Sequence, residues 1–348
     1  MKNSFKIGGA FVGLMIGGGF ASGQEILQFF LSHGWQGLFG VAVATVLLAF
    51  LGKNIAALGY SLKTTSHKEV VLFIAGPTTG SIIDCLITVF AFCFSVAMFA
   101  GAASAFEVLF GINGFIGGIF MVGLTVLTLM LNVERIISIL ALALPYLIVI
   151  ILVMVIASIA AMEGSFAEQA RIASQTSKSH WLIASLIYVS YNLAAGLPMI
   201  AVMGSAAKSK REAGMGGMIG GLLLGTLILL VYLALLANAD AIIGKPMPTL
   251  AIAMEIHPMI GAMMAITLMV MIYSTAVGVL YSFVVRFVSP KSKLYKPFVI
   301  FSASIAFLAS FIGFTTIVGT VYSIMGYLGF IIIFIVLKTW LKRKTDAV

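Results

Sequence analysis

Two stretches of the 348-residue chain could do chemistry by their residue types and spacing. They are Gly17-Gly18-Gly19-Phe20-Ala21-Ser22-Gly23 and Ser190-Tyr191-Asn192-Leu193-Ala194-Ala195-Gly196-Leu197-Pro198, each set inside an otherwise apolar run. A glycine run within a membrane helix loses backbone hydrogen bonds unless protein, ion, water or solute replaces them, because lipid cannot. The half-helix that follows a break begins with free amide N–H groups, which suit a carboxylate. The half-helix before it ends in free carbonyls, which suit a cation. The chemistry on offer is reversible binding of solute and ion at mid-membrane depth. The competing reading is that the glycines only let neighbouring helices approach closely.

Glu25, just after the first glycine run, is the most informative ionisable residue. A carboxylate within a span costs roughly 2.5–3.5 kcal/mol on insertion scales. It could meet a substrate amine, carry a coupling proton, or hold its half-helix in place; a first-turn position also favours an anion on dipole grounds alone. Gln24 reads as a donor to substrate or a bridge across broken backbone. Asn192, with Ser190 and Tyr191, can satisfy freed backbone groups or read a polar ligand. Phe92, Ser95 and Phe99 recur at helical spacing and either face a pocket or pack. Ser81-Ile82-Ile83-Asp84 reads as a capping box that opens a helix, which makes Asp84 structural. Glu107 is a candidate for an outer gate. His33, His67, His180 and His257 all fall near loops or span ends, so no buried histidine relay is expected. HExxH, GxSxG and Walker sequences are all missing, so the chain reads as a non-enzyme whose transport would be driven by an ion gradient.

The elements that must position these residues are membrane helices. Hydrophobic residues make up 61% of the chain and charged residues 9%, with a mean hydropathy of +1.17; a soluble domain of this size would expose far more charge. Ten apolar segments are expected, at about 6–31, 35–59, 81–109, 114–132, 136–160, 181–205, 214–237, 259–287, 297–313 and 315–337. The first reads as a retained helix rather than a signal peptide. With the N-terminus in the cytoplasm, only Arg171, Lys178 and Lys245 of the 20 Lys and Arg residues fall outside. The other 17 lie inside, as the positive-inside rule requires. Topology therefore explains the net charge of +9 better than nucleic-acid binding does. Lys338 to Lys344 reads as an anchor to anionic lipid. Cys85 and Cys93, eight residues apart on one helix, cannot bridge.

Setting Gly23 against Gly196 gives an offset of 173 that carries segment two onto seven, three onto eight and five onto ten. Segment four misses nine by about ten residues, which the long 287–297 loop is taken to explain. Five spans are an odd number, so the second repeat must run inverted. The expectation is one transmembrane domain over 1–348, with repeats at about 6–160 and 181–337 and with helices one and six both broken.

Ile16-Gly17-Gly18-Gly19-Phe20 and the Ala21-Ser22-Gly23-Gln24-Glu25 that follows resemble the first-helix signature of the amino acid–polyamine–cation superfamily. The longer stretch from Gly18 through Ile26-Leu27-Gln28-Phe29-Phe30 resembles the YkvI-like family of bacterial membrane proteins. The resemblance implies a LeuT-like, all-α fold with substrate held between helices one, three, six and eight. It also implies a Na⁺ between the unwound part of helix one and hydroxyls on helix eight. Here those are Ser274 and Thr275, one turn after Met271, with carbonyls of Ile16 and Gly19 as further hard oxygen ligands. The competing reading for the hydroxyls is a bond back to their own helix. Metal-transporting members of that fold carry Asp and Asn on helix one; segment one has neither.

These readings converge on a cation-coupled carrier, Na⁺-driven with H⁺ as the alternative, for a small organic solute such as an amino acid or amine. Its substrate residues are expected among Gly17, Gly18, Gly19, Phe20, Ala21, Ser22, Gly23, Gln24, Glu25, Ser95, Phe99, Ser190, Tyr191 and Asn192. Its partners are the solute, the cation and lipid, without nucleic acid or organic cofactor and with the oligomeric state open. The expected location is a bacterial inner membrane, with both termini cytoplasmic. The rival class is a ligand-sensing subunit that binds without translocating.

Overall fold

The computed structural model describes residues 2–162, 164–175, 180–245 and 247–312, together with 326, 330 and 334. The expected tenth segment and the basic run after it lie largely outside the described residues. The first segment is three pieces: α1 (Lys2–Met15), α2 (Gly18–Ala21) and α3 (Gln24–Phe29). Then come α4 (Gln36–Leu62), α5 (His67–Ala75), α6 (Pro77–Phe110), α7 (Gly114–Leu129) and α8 (Val133–Ala160). The remainder is α9 (Phe166–Ser174), α10 (Trp181–Ser205), α11 (Lys210–Leu236), α12 (Ala239–Ile242), α13 (Pro248–Ile256), α14 (Pro258–Phe287) and α15 (Tyr295–Ser310).

Local chemistry sets the ends. Pro77, Pro248 and Pro258 sit in the first turns of their helices, where a missing N–H costs nothing. Asn132 Oδ1 accepts from Arg135 N–H at 3.0 Å to cap α8, and Ser209 Oγ accepts from Glu212 N–H at 3.1 Å to cap α11. Six described helices are long and apolar enough to cross a membrane: α4, α6, α8, α10, α11 and α14; α7 and α15 are shorter apolar helices. Leu142, Val149 and Ile156 recur every seven residues along α8 with their side chains exposed, the stripe a lipid-facing helix needs.

Packing divides the helices into two groups. α1, α4, α10 and α11 meet through small residues: a Cβ on Gly217 would lie 2.2 Å from Gly52 O, and one on Gly59 would lie 2.0 Å from Ala201 O. Only backbone-to-backbone approach of this kind fits there. α6, α7, α14 and α15 form the second group, and α8 touches α1, α11 and α14.

Two expectations are corrected. Segment six is not broken, because α10 runs as one helix through Pro198. A proline removes one amide donor, and the residues around it, Leu193 to Gly204 apart from Ala195, are buried well enough to hold the helix. The polar groups there are met without unwinding: Asn192 Nδ2 donates to Tyr188 O at 3.0 Å and Ser190 Oγ to Gly326 O at 2.6 Å. The slip between the halves also lies elsewhere. Gln36 and Lys210, which open α4 and α11, are 174 positions apart, whereas His67 and Pro248, Pro77 and Pro258, and Gly114 and Tyr295 are each 181 apart. The added seven positions fall after α11, where α12 is inserted, and not after α14.

Asp84 is not a cap. α6 begins at Pro77, and Ser81 Oγ donates to Pro77 O at 2.7 Å. Asp84, 3% exposed, accepts from Arg286 Nε at 2.8 Å and also from Arg286 Nη2, while His67 Nε2 stands 3.2 Å from its Oδ1. One carboxylate thus ties α5, α6 and α14 together, and it holds His67, which sequence position placed near a loop or span end, in a buried site. Asp84 is buried while Arg286 is partly exposed, so losing the carboxylate costs less than the roughly 3–5 kcal/mol of a fully buried pair but still leaves Arg286 and His67 without their shared acceptor. Asp84→Ala should therefore lower the melting temperature in detergent by several degrees, measured against an exposed-site control such as Glu255→Ala.

Candidate functional site

The first helix stops because glycine lets it. Gly17 N–H turns back to Met15 O at 3.2 Å instead of reaching Gly13 O, and Gly17 is extended, at φ −90° and ψ −167°. The carbonyls this frees are met from α14. Ser274 Oγ donates to Gly13 O at 2.5 Å; Thr275 Oγ1 lies 3.0 Å from Leu14 O and 3.2 Å from Ile16 O. Both hydroxyls are buried, and they reach across to helix one rather than bonding back to their own turn. Gly13, which sequence reading missed, takes the place expected of Gly19, whose carbonyl accepts instead from Ser22 Oγ at 3.0 Å. Gly13 and Ile16, three residues apart, put their carbonyls on one side of the broken end. Met271 is buried one turn before Thr275.

A second interruption follows at Ser22-Gly23. Gly23 has φ +81°, and a Cβ there would lie 2.6 Å from the Thr249 methyl, so neither the backbone nor the space admits a side chain. This turn aims Glu25 inward. Glu25 is 8% exposed, and its Oε2 accepts from Tyr191 O–H at 2.5 Å. A Cβ on Gly19 would lie 2.2 Å from Glu25 Oε1, so the glycine vacates the room that the carboxylate fills. Among the described residues no Lys, Arg or His forms an ion pair with Glu25. Behind it, Tyr188 packs against Phe29, Phe30 and Tyr191, and Phe29 also against Tyr191, with ring centroids 4.9 to 5.8 Å apart.

Glu25, Tyr191, Asn192, Thr275 and Gly17 converge on one cavity of about 20 Å³ between α1, α6, α10 and α14. That is room for a water-sized group and no more. Its other walls are apolar: Leu14, Met15, Phe94, Met98, Ala195 and Val279, with Gly196. Five of the expected substrate and cation residues are thus brought together, and several are not. Gln24 is exposed. Phe20 and Ala21 face a separate apolar gap with Leu147 and Ile151 of α8. Ser95 bonds back to Ala91 O at 2.9 Å, and Phe99 is fully buried away from the cavity. α6 presents Phe94 and Met98 instead, one position earlier on the helix; their four-residue spacing was the available signal. Ser190 is taken up by Gly326, and Gly18 packs against Ile272. In the cavity wall, Gly196 leaves room for Met15, whose methyl would lie 2.0 Å from an added Cβ.

The two ends of the molecule differ. At one, α13 lies on the broken helix: Thr249 Oγ1 donates to Ala21 O at 2.6 Å and Thr249 N–H to Ser22 O at 3.0 Å. At the other, residues from the 2–3, 4–5, 6–7 and 8–9 connections, including Thr64, Asn132, Ser205 and Lys291, line a cavity of about 740 Å³. These are the connections that charge placed together on the cytoplasmic side.

No protein-family model matches the chain. The uncharacterized membrane protein YkvI of Bacillus subtilis (strain 168) is 26% identical over 328 residues, which span 91% of this chain and 90% of that protein. Among solved structures, MhsT in complex with L-phenylalanine superposes with a TM-score of 0.71 at 14% identity, covering 96% of this chain and 88% of that one. A substrate-bound, outward-open Na⁺-coupled sialic acid symporter superposes with a TM-score of 0.69 at 13% identity, covering 93% and 76%. The chain is an all-α membrane protein with the LeuT-like fold, and its relatives in structure are transporters rather than enzymes.

Proposed function

We propose that the protein is a Na⁺-coupled secondary transporter of a small organic solute such as an amino acid or amine. The observation that carries this reading is the meeting of Ser274 and Thr275 with the freed carbonyls of Gly13, Leu14 and Ile16, at the edge of a cavity that also holds Glu25. Hydroxyl and carbonyl oxygens are hard donors suited to Na⁺. The hydroxyls donate to carbonyls here; a cation would take the place of those hydrogen bonds, with each O–H staying protonated and turning aside so that hydroxyl and carbonyl oxygens both face the ion. Since α1 and α14 belong to different packing groups, the ion would tie the groups together where the solute binds. The likeness to a Na⁺-coupled symporter supports the same ion. The sealed contact at Thr249 and the wide cavity at the opposite end suit alternating access, with one group rocking against the other.

A ligand that binds only the folded protein raises its apparent stability, by about 2.7 kcal/mol at a hundredfold excess over Kd. Purified protein should melt at a higher temperature in Na⁺ than in K⁺, and Ser274→Ala combined with Thr275→Ala should erase the difference. Equal melting in both salts for the unaltered protein would remove Na⁺ and turn attention to H⁺ carried by Glu25. Gly196→Ala should push the Met15 thioether into the cavity. The expected outcome is solute uptake into liposomes reduced at least tenfold, with the Na⁺ stabilisation intact.

A further inference from the structure

The wide cavity at the end opposite α13 is built unlike the central one. Its volume of about 740 Å³ lies within the range of about 300–1,000 Å³ typical of small-molecule sites. The loop between α14 and α15 forms one side of it through two successive turns, with Ser292 N–H donating to Ser289 O at 2.9 Å and Tyr295 N–H to Ser292 O at 3.1 Å. These turns bring Lys291, Lys293 and Lys296 into one wall, with Glu134 as the acidic residue of the described lining. None of the three lysines forms an ion pair among the described residues, whereas Arg286, at the end of α14, is held by Asp84. Ser289 Oγ accepts from Lys291 N–H at 3.4 Å and Ser292 Oγ from Leu294 N–H at 3.2 Å, so each hydroxyl still has a hydrogen to give. Tyr295, 5% exposed, also lines the cavity, and its O–H is buried without a hydrogen-bond partner among the described residues. A hydroxyl buried unpaired is costly, and an acceptor arriving in the cavity would answer it. No side chain caps the first turn of α15, whose positive end begins at the same loop.

We infer that this cavity is a binding site for a phosphate monoester, carried by a lipid headgroup or by a soluble ester. The site stands apart from the solute and the ion proposed above. What its wall leaves unmatched is cationic and rich in donors: three ammonium groups, two serine hydroxyls and a phenol. A phosphate monoester answers them with up to about two negative charges and three acceptor oxygens. A carboxylate brings one charge and two oxygens, too little for three lysines set against one glutamate. Charge placement assigns this end to the cytoplasmic side, where lysines at the membrane surface attract anionic headgroups. Attraction of that general kind needs no buried phenol. Tyr295 therefore separates a phosphate seated in the cavity from one held loosely by a charged surface.

The test follows thermal stability of the full-length protein in uncharged, lipid-free detergent. Glycerol 3-phosphate is titrated against glycerate, its carboxylate counterpart, both as potassium salts so that Na⁺ does not enter. Dioleoyl phosphatidic acid is titrated in parallel against dioleoyl phosphatidylcholine. The expected result is stabilisation by at least one phosphate monoester, with at least a tenfold preference over its counterpart. Binding of glycerol 3-phosphate assigns a soluble ester, and binding of phosphatidic acid with glycerol 3-phosphate inert assigns a lipid; either upholds the site. Lys291→Gln combined with Lys293→Gln and Lys296→Gln should weaken the preferred probe at least tenfold. Tyr295→Phe, which keeps the ring and removes only the hydroxyl, should weaken it at least threefold. Lys208→Gln combined with Lys210→Gln and Arg211→Gln removes the same charge from exposed positions outside the cavity lining, and should leave binding within twofold. Stabilisation by neither monoester would overturn the assignment, as would a counterpart that binds equally well. So would an equal loss in the two triple variants, or binding unchanged in Tyr295→Phe, which would reduce the lysines to general surface charge.

Discussion

A helix that stops in the middle of a bilayer leaves carbonyls that lipid cannot meet, and the site follows from how this protein meets them. The end of α1 presents Gly13, Leu14 and Ile16 to two neighbouring hydroxyls on α14. Each unsatisfied group would cost several kcal/mol in hydrocarbon, so the break can exist only where Ser274 and Thr275 stand. That requirement fixes the register of α14 against α1, and with it the position of Val279 one turn further along the same face. The cavity is therefore a consequence of satisfying the backbone. An oxygen cluster built to quiet free carbonyls is also a cluster that can hold a cation.

The second interruption does a different job. Gly23 turns the chain through a left-handed residue, and α3 then enters with Glu25 pointing back toward the break. Three glycines serve this one carboxylate and its neighbourhood: Gly19 by standing aside for it, Gly23 by making the turn under Thr249, and Gly196 by admitting Met15 on the opposite wall. The reading of the glycines as mere packing residues and the reading of them as a site are thus both satisfied, at different positions. Gly52, Gly59 and Gly217 serve close helix approach, while Gly17 and Gly23 shape the break.

The scaffold around the site is stiffened away from it. Asp84 joins α5, α6 and α14 at the end where the wide cavity opens, which ties α5 to the group carrying Ser274 and Thr275. The small-residue seams between α1, α4, α10 and α11 hold the group carrying Tyr191 at close backbone approach. The two groups meet at the cavity, with α13 lying over the broken helix at one end.

Apolar run length and the glycines of the first segment were enough to define a helical membrane architecture and an interrupted first helix, because bilayer thickness and backbone satisfaction act on any such sequence regardless of what it packs against; the stretch expected to be unwound is two interruptions, with α2 helical between them. The same logic misjudged segment six. Asn192, Gly196 and Pro198 look like a break one residue at a time, yet burial and neighbouring carbonyls let α10 continue through them. Tertiary structure alone decided that Gly13 rather than Gly19 faces Ser274, that Phe94 and Met98 rather than Ser95 and Phe99 line the cavity, and that Asp84 answers Arg286 across 202 positions of chain. Those outcomes depend on helix rotation and on partners remote in sequence. A rotation of one residue, about 100°, changes which side chain lines the cavity while leaving every hydrophobic run intact.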